Sequence, residues 1–365
     1  MKGYVIFHRH GHRIPMKSLQ GPFINSEVEE LQLWKQFLPK SDRLEKLQVM
    51  TPIVNHPHND IPKDLKTPYG RLTTKGMDYL NDKGRQLNEI FPSMKYTTLD
   101  VNKIKVYATN YQRTQVSVQE LLNGMLIPLN NDSNNDIKIP INVRDITTCS
   151  MSYFDGKPKL AYSLVAKVQS TDKFKEIEND ARALKAKEML LSHVPLIVGP
   201  KGFDWMAALD YFACRRAHDI TIHNDLLQYE EIVRQHMVSR YRVYLSHNEK
   251  FGHFVSPMIH DVNKQIKEYD ENDNRTSSSL NIFSCHDVNL LGILYAVKAN
   301  NINCPNFWPF YGDTLSFEYD SGDKINVYYN DKPLQMNNDS SKTYITKKEL
   351  NELESRLIKY TKMTD

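Results

Sequence analysis

The sequence predicts an α/β fold, with a mixed central sheet flanked by helices and a mostly helical segment inserted into it. Strand-like and helix-like segments alternate towards both ends of the 365-residue chain, whereas residues 160–270 show long helical periodicities and few strand signals. A chain that returns to the strand–helix pattern after such a segment is expected to build one core from both termini. We therefore expect residues 1–140 and 271–365 to form the α/β core and residues 141–270 to form a helical cap.

The N-terminal part begins with a predicted strand at residues 3–8, where apolar and β-branched side chains run into a turn. Residues 18–70 contain six prolines, and we expect them to form an irregular excursion over a site. Residues 73–91 follow as an amphipathic helix, for which Thr74 is the expected cap.

A second strand is predicted at residues 104–108, and the helix at 112–124 that follows it is expected to end at Gly124. The other predicted elements are helices at 179–191, 226–245, 254–269 and 288–297, a strand at 280–284, a hairpin of residues 314–319 and 325–329, and a last helix that opens at the capping box Thr346-x-x-Glu349. Trp205 and the aromatic segment 307–311 are predicted to pack in the core, and the alternative is that they line the mouth of the pocket.

Charge and apolar runs restrict the classes of function. Lys and Arg number 47 against 44 Asp and Glu, a net charge of +3, which argues against a broad nucleic-acid-binding surface. No apolar run approaches the ~20 residues of a membrane span or the roughly 7–15 of a signal peptide. We expect a cytoplasmic protein, or a secreted or lysosomal one if a leader was removed before the numbering starts. The oligomeric state stays open.

The four cysteines bear on the chemistry of the chain. They lie far apart and form no CxxC pair, so we expect reduced core residues rather than a zinc site or a set of disulfides. They are Cys149, Cys214, Cys285 and Cys304.

The segment R-H-G-H-R-I-P at positions 9–15 stands directly after the first predicted strand. Arg9 and Arg13 flank His10, and Gly11 lets the backbone turn sharply so that the three side chains converge. Arginine forks match phosphate oxygens in a bidentate manner, and their positive charge disfavours a metal cation. The segment therefore predicts a phosphate site in which His10 attacks phosphorus.

Two further polar positions also follow predicted strands. His286 and Asp287 come directly after the strand at 280–284, and Arg113 lies just past the strand at 104–108, in the first turn of a helix. Ligands bind outside the carboxyl ends of the strands in open α/β sheets, so we expect these side chains to meet the first motif. Asp287 is the expected proton donor to the leaving group, and Arg113 is an expected phosphate ligand.

The chain resembles the histidine acid phosphatase family, the acid-phosphatase and phytase branch of the histidine phosphatases. The family's R-H-G-x-R-x-P signature stands at 9–15, its L-T-x-x-G segment at 72–76, its R-T-x-x-S segment at 113–117 and its His-Asp pair at 286–287. The resemblance implies a phosphoglycerate-mutase-like core and a phosphomonoesterase without a metal or a cofactor. It also implies a phosphohistidine at His10, a leaving oxygen protonated by Asp287, and a phosphate held by Arg9, Arg13, Arg113 and a His286 imidazolium.

Alternatives stay open on the residues alone. His8-x-His10 with a late Asp287 is also typical of metal-dependent amidohydrolases of the β/α-barrel type. A relative that binds a phosphorylated ligand without catalysis would keep the same fold, and the phosphoglycerate-mutase branch shares the Arg-His-Gly segment. We expect a small-molecule phosphate monoester as substrate, with phytate, lysophospholipids and phosphoproteins all open.

Overall fold

The computed structural model describes residues 2–22, 24, 26–54, 67–90, 99–126, 138–152, 154–199, 202–271 and 278–362. The strands in these ranges are β1 (Gly3–Arg9), β2 (Ile53–Val54), β3 (Leu99–Ala108), β4 (Ile141–Val143), β5 (Val198–Gly199), β6 (Gly202–Phe203), β7 (Ser278–Cys285), β8 (Thr314–Tyr319), β9 (Lys324–Tyr329), β10 (Lys332–Pro333) and β11 (Tyr344–Thr346). The helices are α1 (Glu27–Lys35), α2 (Ser41–Met50), α3 (Thr74–Ile90), α4 (Gln112–Leu126), α5 (Pro158–Gln169), α6 (Asp172–Glu178), α7 (Ala181–His193), α8 (Trp205–Ala217), α9 (Glu230–Ser246), α10 (Asn248–Glu271), α11 (Asp287–Ala296) and α12 (Lys347–Thr361).

Nine strands form the central sheet, in the order β10-β9-β8-β1-β7-β3-β4-β2, with β11 paired to β9. Strands β1, β7, β3, β4 and β2 run parallel, and β8 runs antiparallel to β1. The predicted mixed sheet is therefore confirmed. Arg9 pairs with Cys285 and Ala108 pairs with Ser284, so β1, β7 and β3 end at the same level of one sheet edge.

Helices cover both faces of the sheet, which explains why its central strands β1 and β7 are buried along their whole length. Side chains of a strand alternate between faces. Tyr4 and Ile6 of β1 pack with Leu80 of α3 and Leu121 of α4. On the other face, strand side chains pack with helices α10, α11 and α12. The strand residues are Val5, Phe7 and Phe283, and the helix residues include Val255, Leu290 and Leu350.

Three local predictions are wrong. The irregular excursion at 18–70 contains α1 and α2, and α1 begins with Ser26, whose side chain accepts the N–H of Glu29; residues 55–66 of this excursion lie outside the described residues. The cap of α3 is Thr73, whose hydroxyl accepts the N–H of Gly76 at 3.2 Å, and not Thr74. Helix α4 continues past Gly124.

Helices α5 to α10 lie between β4 and β7 along the chain, so the middle of the sequence is mostly helical, as expected. Helix α10 packs beside α11 and α12 through Val255 and Ile259, although the predicted boundary assigns nearly all of it to the cap. The division into a core and a cap at residues 140 and 271 stays a prediction. None of the described helices has both the length and the apolar character that a bilayer-spanning helix needs.

All four cysteines are free, and Cys149, Cys214 and Cys285 are buried, as predicted. Cys304 is exposed, so its assignment to the core is wrong.

Candidate active site

The loop after β1 is held by backbone hydrogen bonds to its neighbours. The N–H of Arg9 donates to Asp313 O at 2.9 Å, and the N–H of His10 donates to Cys285 O at 3.1 Å. A Cβ atom on Gly11 would lie 2.6 Å from the carbonyl oxygen of Gly76, so the loop approaches α3 too closely for any other residue. The turn therefore places His10 at the sheet edge, beside the end of β7.

His10 is buried, and its Nδ1 lies 2.9 Å from the carbonyl oxygen of Gly11. A carbonyl oxygen only accepts, so Nδ1 carries the proton and Nε2 of the neutral ring has a free lone pair. Burial, together with the positive charges of the nearby arginines, lowers the pKa of His10 well below its usual value. A neutral ring with an available Nε2 is the form that can attack phosphorus.

Arg9 connects the nucleophile loop to Asp287. Its Nη1 donates to Pro309 O at 2.7 Å, its Nη2 lies 2.8 Å from Asp287 Oδ2, and its guanidinium lies 4.2 Å above the ring of Tyr311. Its Nε–H is buried and has no protein acceptor among the described residues. That edge of the guanidinium remains free for another anion.

Arg13 is paired with Asp210 of α8 through two contacts. Nη1 lies 2.9 Å from Asp210 Oδ2, and Nη2 lies 2.7 Å from Oδ1. Burial opposes the charged form, but the charge of Asp210 holds the pKa of Arg13 well above its usual value. Nη1 also donates to Ile14 O at 3.0 Å, and the buried Nε–H again has no acceptor in the described ranges. Asp210 therefore fixes this fork while one edge stays unused.

Arg113 lies in the first turn of α4, with its guanidinium 4.3 Å above the ring of Tyr111. It is buried, and within the described part of the chain it forms no ion pair or hydrogen bond with another side chain. Burial and the positive charge of Arg13 lower its pKa to about 10. A buried guanidinium without a counter-ion is costly unless an anion binds there.

His286 lies at the start of α11, and its ring centroid is 5.5 Å from that of His10. Its Nε2 lies 3.2 Å from the hydroxyl of Thr109, which follows β3. Burial and the charges of the arginines lower the pKa of His286 well below its usual value. The lowered pKa favours a neutral ring in the free site, whereas the resemblance implies an imidazolium.

Asp287 is the first residue of α11 and accepts three hydrogen bonds. Its Oδ2 binds Arg9 and the indole Nε1–H of Trp308, the latter at 3.0 Å, and its Oδ1 accepts the N–H of Val288 at 2.8 Å. These contacts orient the carboxyl towards the Arg9 side of the site.

Sequence reasoning gave three residues no contact within this site. Trp308 and Tyr311 are buried, as expected of core residues, and they also contact Asp287 and Arg9. A buried indole N–H needs an acceptor, and this was the available signal for Trp308. Asp210 carried no signal, because its partner lies 197 positions away. Trp205 is buried, as predicted.

The metal-dependent alternative is not supported by the arrangement of the site. His8 is fully buried, and its Nδ1 donates to Arg9 O at 3.1 Å. The group of described residues that has the spacing of metal ligands is His193, His223 and Asp225, and it does not include His8, His10 or Asp287. The sheet is also open and mixed, whereas that alternative requires a parallel barrel.

Comparisons with known proteins agree with this geometry. The chain matches the family model described as histidine phosphatase superfamily (branch 2) over residues 1–318. No curated protein sequence matches it.

Solved structures share its fold at low identity, and at such identity they show the fold alone. The phytase from Citrobacter braakii is 13% identical with a TM-score of 0.56, and the match covers 97% of each chain. The multiple inositol polyphosphate phosphatase of Bifidobacterium longum, solved with inositol hexasulfate, is 10% identical with a TM-score of 0.57, over 96% of this chain and 91% of that one. The phytase of Hafnia alvei, solved with myo-inositol hexakis sulphate, is 13% identical with a TM-score of 0.55, over 97% and 96%.

Proposed function

The chain belongs to branch 2 of the histidine phosphatase superfamily, and from this premise we propose that it hydrolyses phosphate monoesters through a phosphohistidine at His10. Family membership makes it a phosphatase, and the finer assignment we propose is a histidine acid phosphatase. Asp287 is the proposed proton donor, and the proposed phosphate ligands are Arg9, Arg13, Arg113 and His286.

One observation carries the proposal. Arg9, Arg13 and Arg113 are all buried, and each has an Nε–H without a protein acceptor in the described ranges. The positive charges of all three lower the pKa of His10, so each guanidinium lies near that side chain. Three buried guanidiniums with unused donors support an oxyanion ligand, and a phosphoryl group has the oxygens to satisfy them.

The reaction then has two steps. In the first, Nε2 of His10 forms a bond to phosphorus as the bond to the leaving oxygen breaks, and the proton of Asp287 passes to that oxygen. In the second, a water molecule attacks the phosphohistidine and gives a proton back to Asp287, which releases inorganic phosphate and restores both groups. The guanidiniums neutralise the charge on the phosphoryl oxygens in both steps.

The covalent step can be tested at His10. The wild-type enzyme, quenched without acid during turnover, should carry acid-labile phosphate, and His10→Ala should carry none and lose turnover. His260→Ala is the control, because His260 is an exposed residue of α10 that contacts Glu354 away from the site. Substantial activity in a folded His10→Ala variant would contradict the mechanism.

Inhibitors separate the proposal from its rivals. Hydrolysis of p-nitrophenyl phosphate should withstand EDTA and should be inhibited by vanadate, which occupies a phosphate site. Loss of activity on chelation, restored by zinc or manganese, would favour a metal-dependent hydrolase. A protein that binds phosphate without turning over any ester would be a non-catalytic relative.

The cysteines support a proposal about the compartment. We propose a cytoplasmic site of action, because free thiols such as those of Cys149, Cys214, Cys285 and Cys304 are typical of reducing compartments. Fractionation of the cells that express the protein would test it, and recovery of the activity outside the cytoplasm would contradict it.

A further inference from the structure

A cavity of about 280 Å³ adjoins the proposed proton donor. It is lined by Arg9 and Asp287, by residues of helix α8 and the start of α9, and by residues 308–311. If Asp287 protonates the leaving oxygen, the group bonded to that oxygen lies on the Asp287 side of the phosphate. The cavity is therefore where the alcohol part of the substrate would lie.

The walls of this cavity are mostly apolar. Helix α8 contributes side chains three or four positions apart, which share one face of a helix. They are Met206, Leu209, Ala213 and Ala217, and the opposite wall consists of Trp308, Pro309, Phe310 and Tyr311. Phe310 is 62% exposed and lies at the opening, whereas Trp308 is 5% exposed. An apolar group that enters this space would lose contact with water and gain contact with aromatic rings.

The charged groups that line the cavity are already paired with one another. Arg216 Nε lies 2.9 Å from Glu230 Oε2, and Arg234 Nη2 lies 3.5 Å from Glu230 Oε1. Arg13 is held by Asp210. A ligand with several phosphates would have to replace these carboxylates as partners of the arginines. Its phosphates would then lie close to the negative charges of the carboxylates.

His12 also lines the cavity, and it does not add charge near neutral pH. Burial and the neighbouring charge of His218 lower the pKa of His12 to about 4, so its ring is neutral above that pH. Of the described residues that line the cavity, four are arginines and three are carboxylates. The positive and negative charges along the cavity therefore nearly cancel, which suits an uncharged leaving group.

We propose that this cavity binds an uncharged apolar leaving group of about one aromatic ring or a short alkyl chain, and that it disfavours alcohols that carry further phosphates. The proposal rests on the proposed function, because it assigns the leaving-group side from Asp287. Its volume of about 280 Å³ lies just below the ~300–1,000 Å³ range of small-molecule pockets, which fits a small group. The preference would separate this enzyme from the inositol polyphosphate phosphatases that share its fold.

The test compares phosphate esters whose leaving alcohols have similar basicity. A difference in kcat/KM then reflects binding of the leaving group and not the ease with which the alcohol leaves. We expect kcat/KM for 2-phenylethyl phosphate to exceed that for ethyl phosphate by roughly 10- to 100-fold, the effect of burying several carbon atoms. Inositol hexakisphosphate should be turned over less efficiently than 2-phenylethyl phosphate. Equal values for the ethyl and 2-phenylethyl esters, or a preference for inositol hexakisphosphate, would overturn the proposal.

A substitution in the apolar wall of the cavity tests whether the preference for the 2-phenylethyl ester arises there. Leu209→Lys should bring the ratio of kcat/KM between 2-phenylethyl and ethyl phosphate close to one, because it places a charge in the apolar wall. Leu184→Lys is the matched control on α7, where Leu184 is 44% exposed, and it should keep the wild-type ratio. An unchanged ratio in Leu209→Lys would contradict the assignment of this cavity. Absence of turnover on all esters, p-nitrophenyl phosphate included, would instead contradict the proposed function.

Discussion

At the scale of single residues, Arg9 connects the proposed nucleophile His10 to the proposed proton donor Asp287. It follows β1 beside His10, and its Nη2 holds Asp287 Oδ2 at 2.8 Å. A phosphate bound at the unused Nε edge of Arg9 would share this guanidinium with Asp287. In the proposed mechanism, one side chain would then contact both the phosphoryl group and the proposed proton donor.

Asp287→Asn tests the role of the donor. The variant should lose roughly 100- to 10,000-fold in rate on ethyl phosphate, because a basic alkoxide cannot leave without a proton. It should lose far less in the phosphorylation step with p-nitrophenyl phosphate, whose leaving group needs little help. Pre-steady-state bursts measure that step. An equal loss on both esters would reduce Asp287 to an orienting role beside His286.

Arg113→Lys tests whether the unpaired guanidinium holds phosphate. Lysine keeps the charge but lacks the fork, and the lost contact to a charged group should cost about 1.5–3 kcal/mol, which is roughly a 10- to 150-fold loss in kcat/KM. Arg182→Lys is the control, because Arg182 is exposed on α7 and, among the described residues, pairs with Asp180 rather than with the site. A near-normal Arg113→Lys enzyme would mean that Arg113 does not contact the phosphate.

At the scale of elements, the packing of α3 on α4 sets the position of Arg113. A Cβ on Gly124 of α4 would lie 1.9 Å from the carbonyl oxygen of Asn81 in α3, and a Cβ on Gly84 would lie 2.1 Å from that of Leu121. The two glycines thus let the helix backbones touch. Gly124 is explained by this contact, and the expectation that it ends the helix failed because a contact between helices leaves no local signal.

Gly124→Ala should therefore destabilise the fold. Alanine favours a helix by roughly 0.5–1 kcal/mol over glycine, but the clash with a backbone carbonyl should cost more, on the order of 1–3 kcal/mol or above. The free energy of unfolding in urea measures the difference. Gly199→Ala is the control, since the nearest atom to its added Cβ would be 3.8 Å away. A Gly124→Ala protein as stable as the wild type would refute the close packing.

At the scale of the molecule, the sequence predicted those site residues whose positions follow from the order of strands and helices along the chain. His10 follows β1 directly, Asp287 lies two positions past β7, and Arg113 lies five positions past β3. Parallel strands bring such positions to one edge. Asp210 and Trp308 escaped prediction because each reaches its partner through tertiary packing of segments that are distant in sequence. Helices α1 and α2 escaped because the prolines around them dominated the pattern.

The whole fold should lose stability in acid because it buries neutral histidines. Burial lowers the pKa of His8 to about 4, compared with about 6.5 in an unfolded chain. Between these pH values the unfolded state binds the extra proton, so the free energy of unfolding decreases as the pH falls from 6.5 towards 4. Each such histidine should contribute a slope of at most roughly 1.4 kcal/mol per pH unit within that window. The enzyme's acid limb should therefore include loss of the folded state.

His8→Gln isolates this effect, because His8 is fully buried in β1 and its removal takes away one proton-binding difference between the two states. Urea unfolding at several pH values between 7 and 4 should show a shallower slope for His8→Gln than for the wild type, whatever its stability at pH 7. His260→Gln, which changes an exposed histidine, should keep the wild-type slope. If His8→Gln also kept that slope, His8 would not be a neutral buried group. The loss of stability in acid would then have to arise from other histidines, such as His10, His12, His218 or His286, whose pKa values are lowered by burial as well.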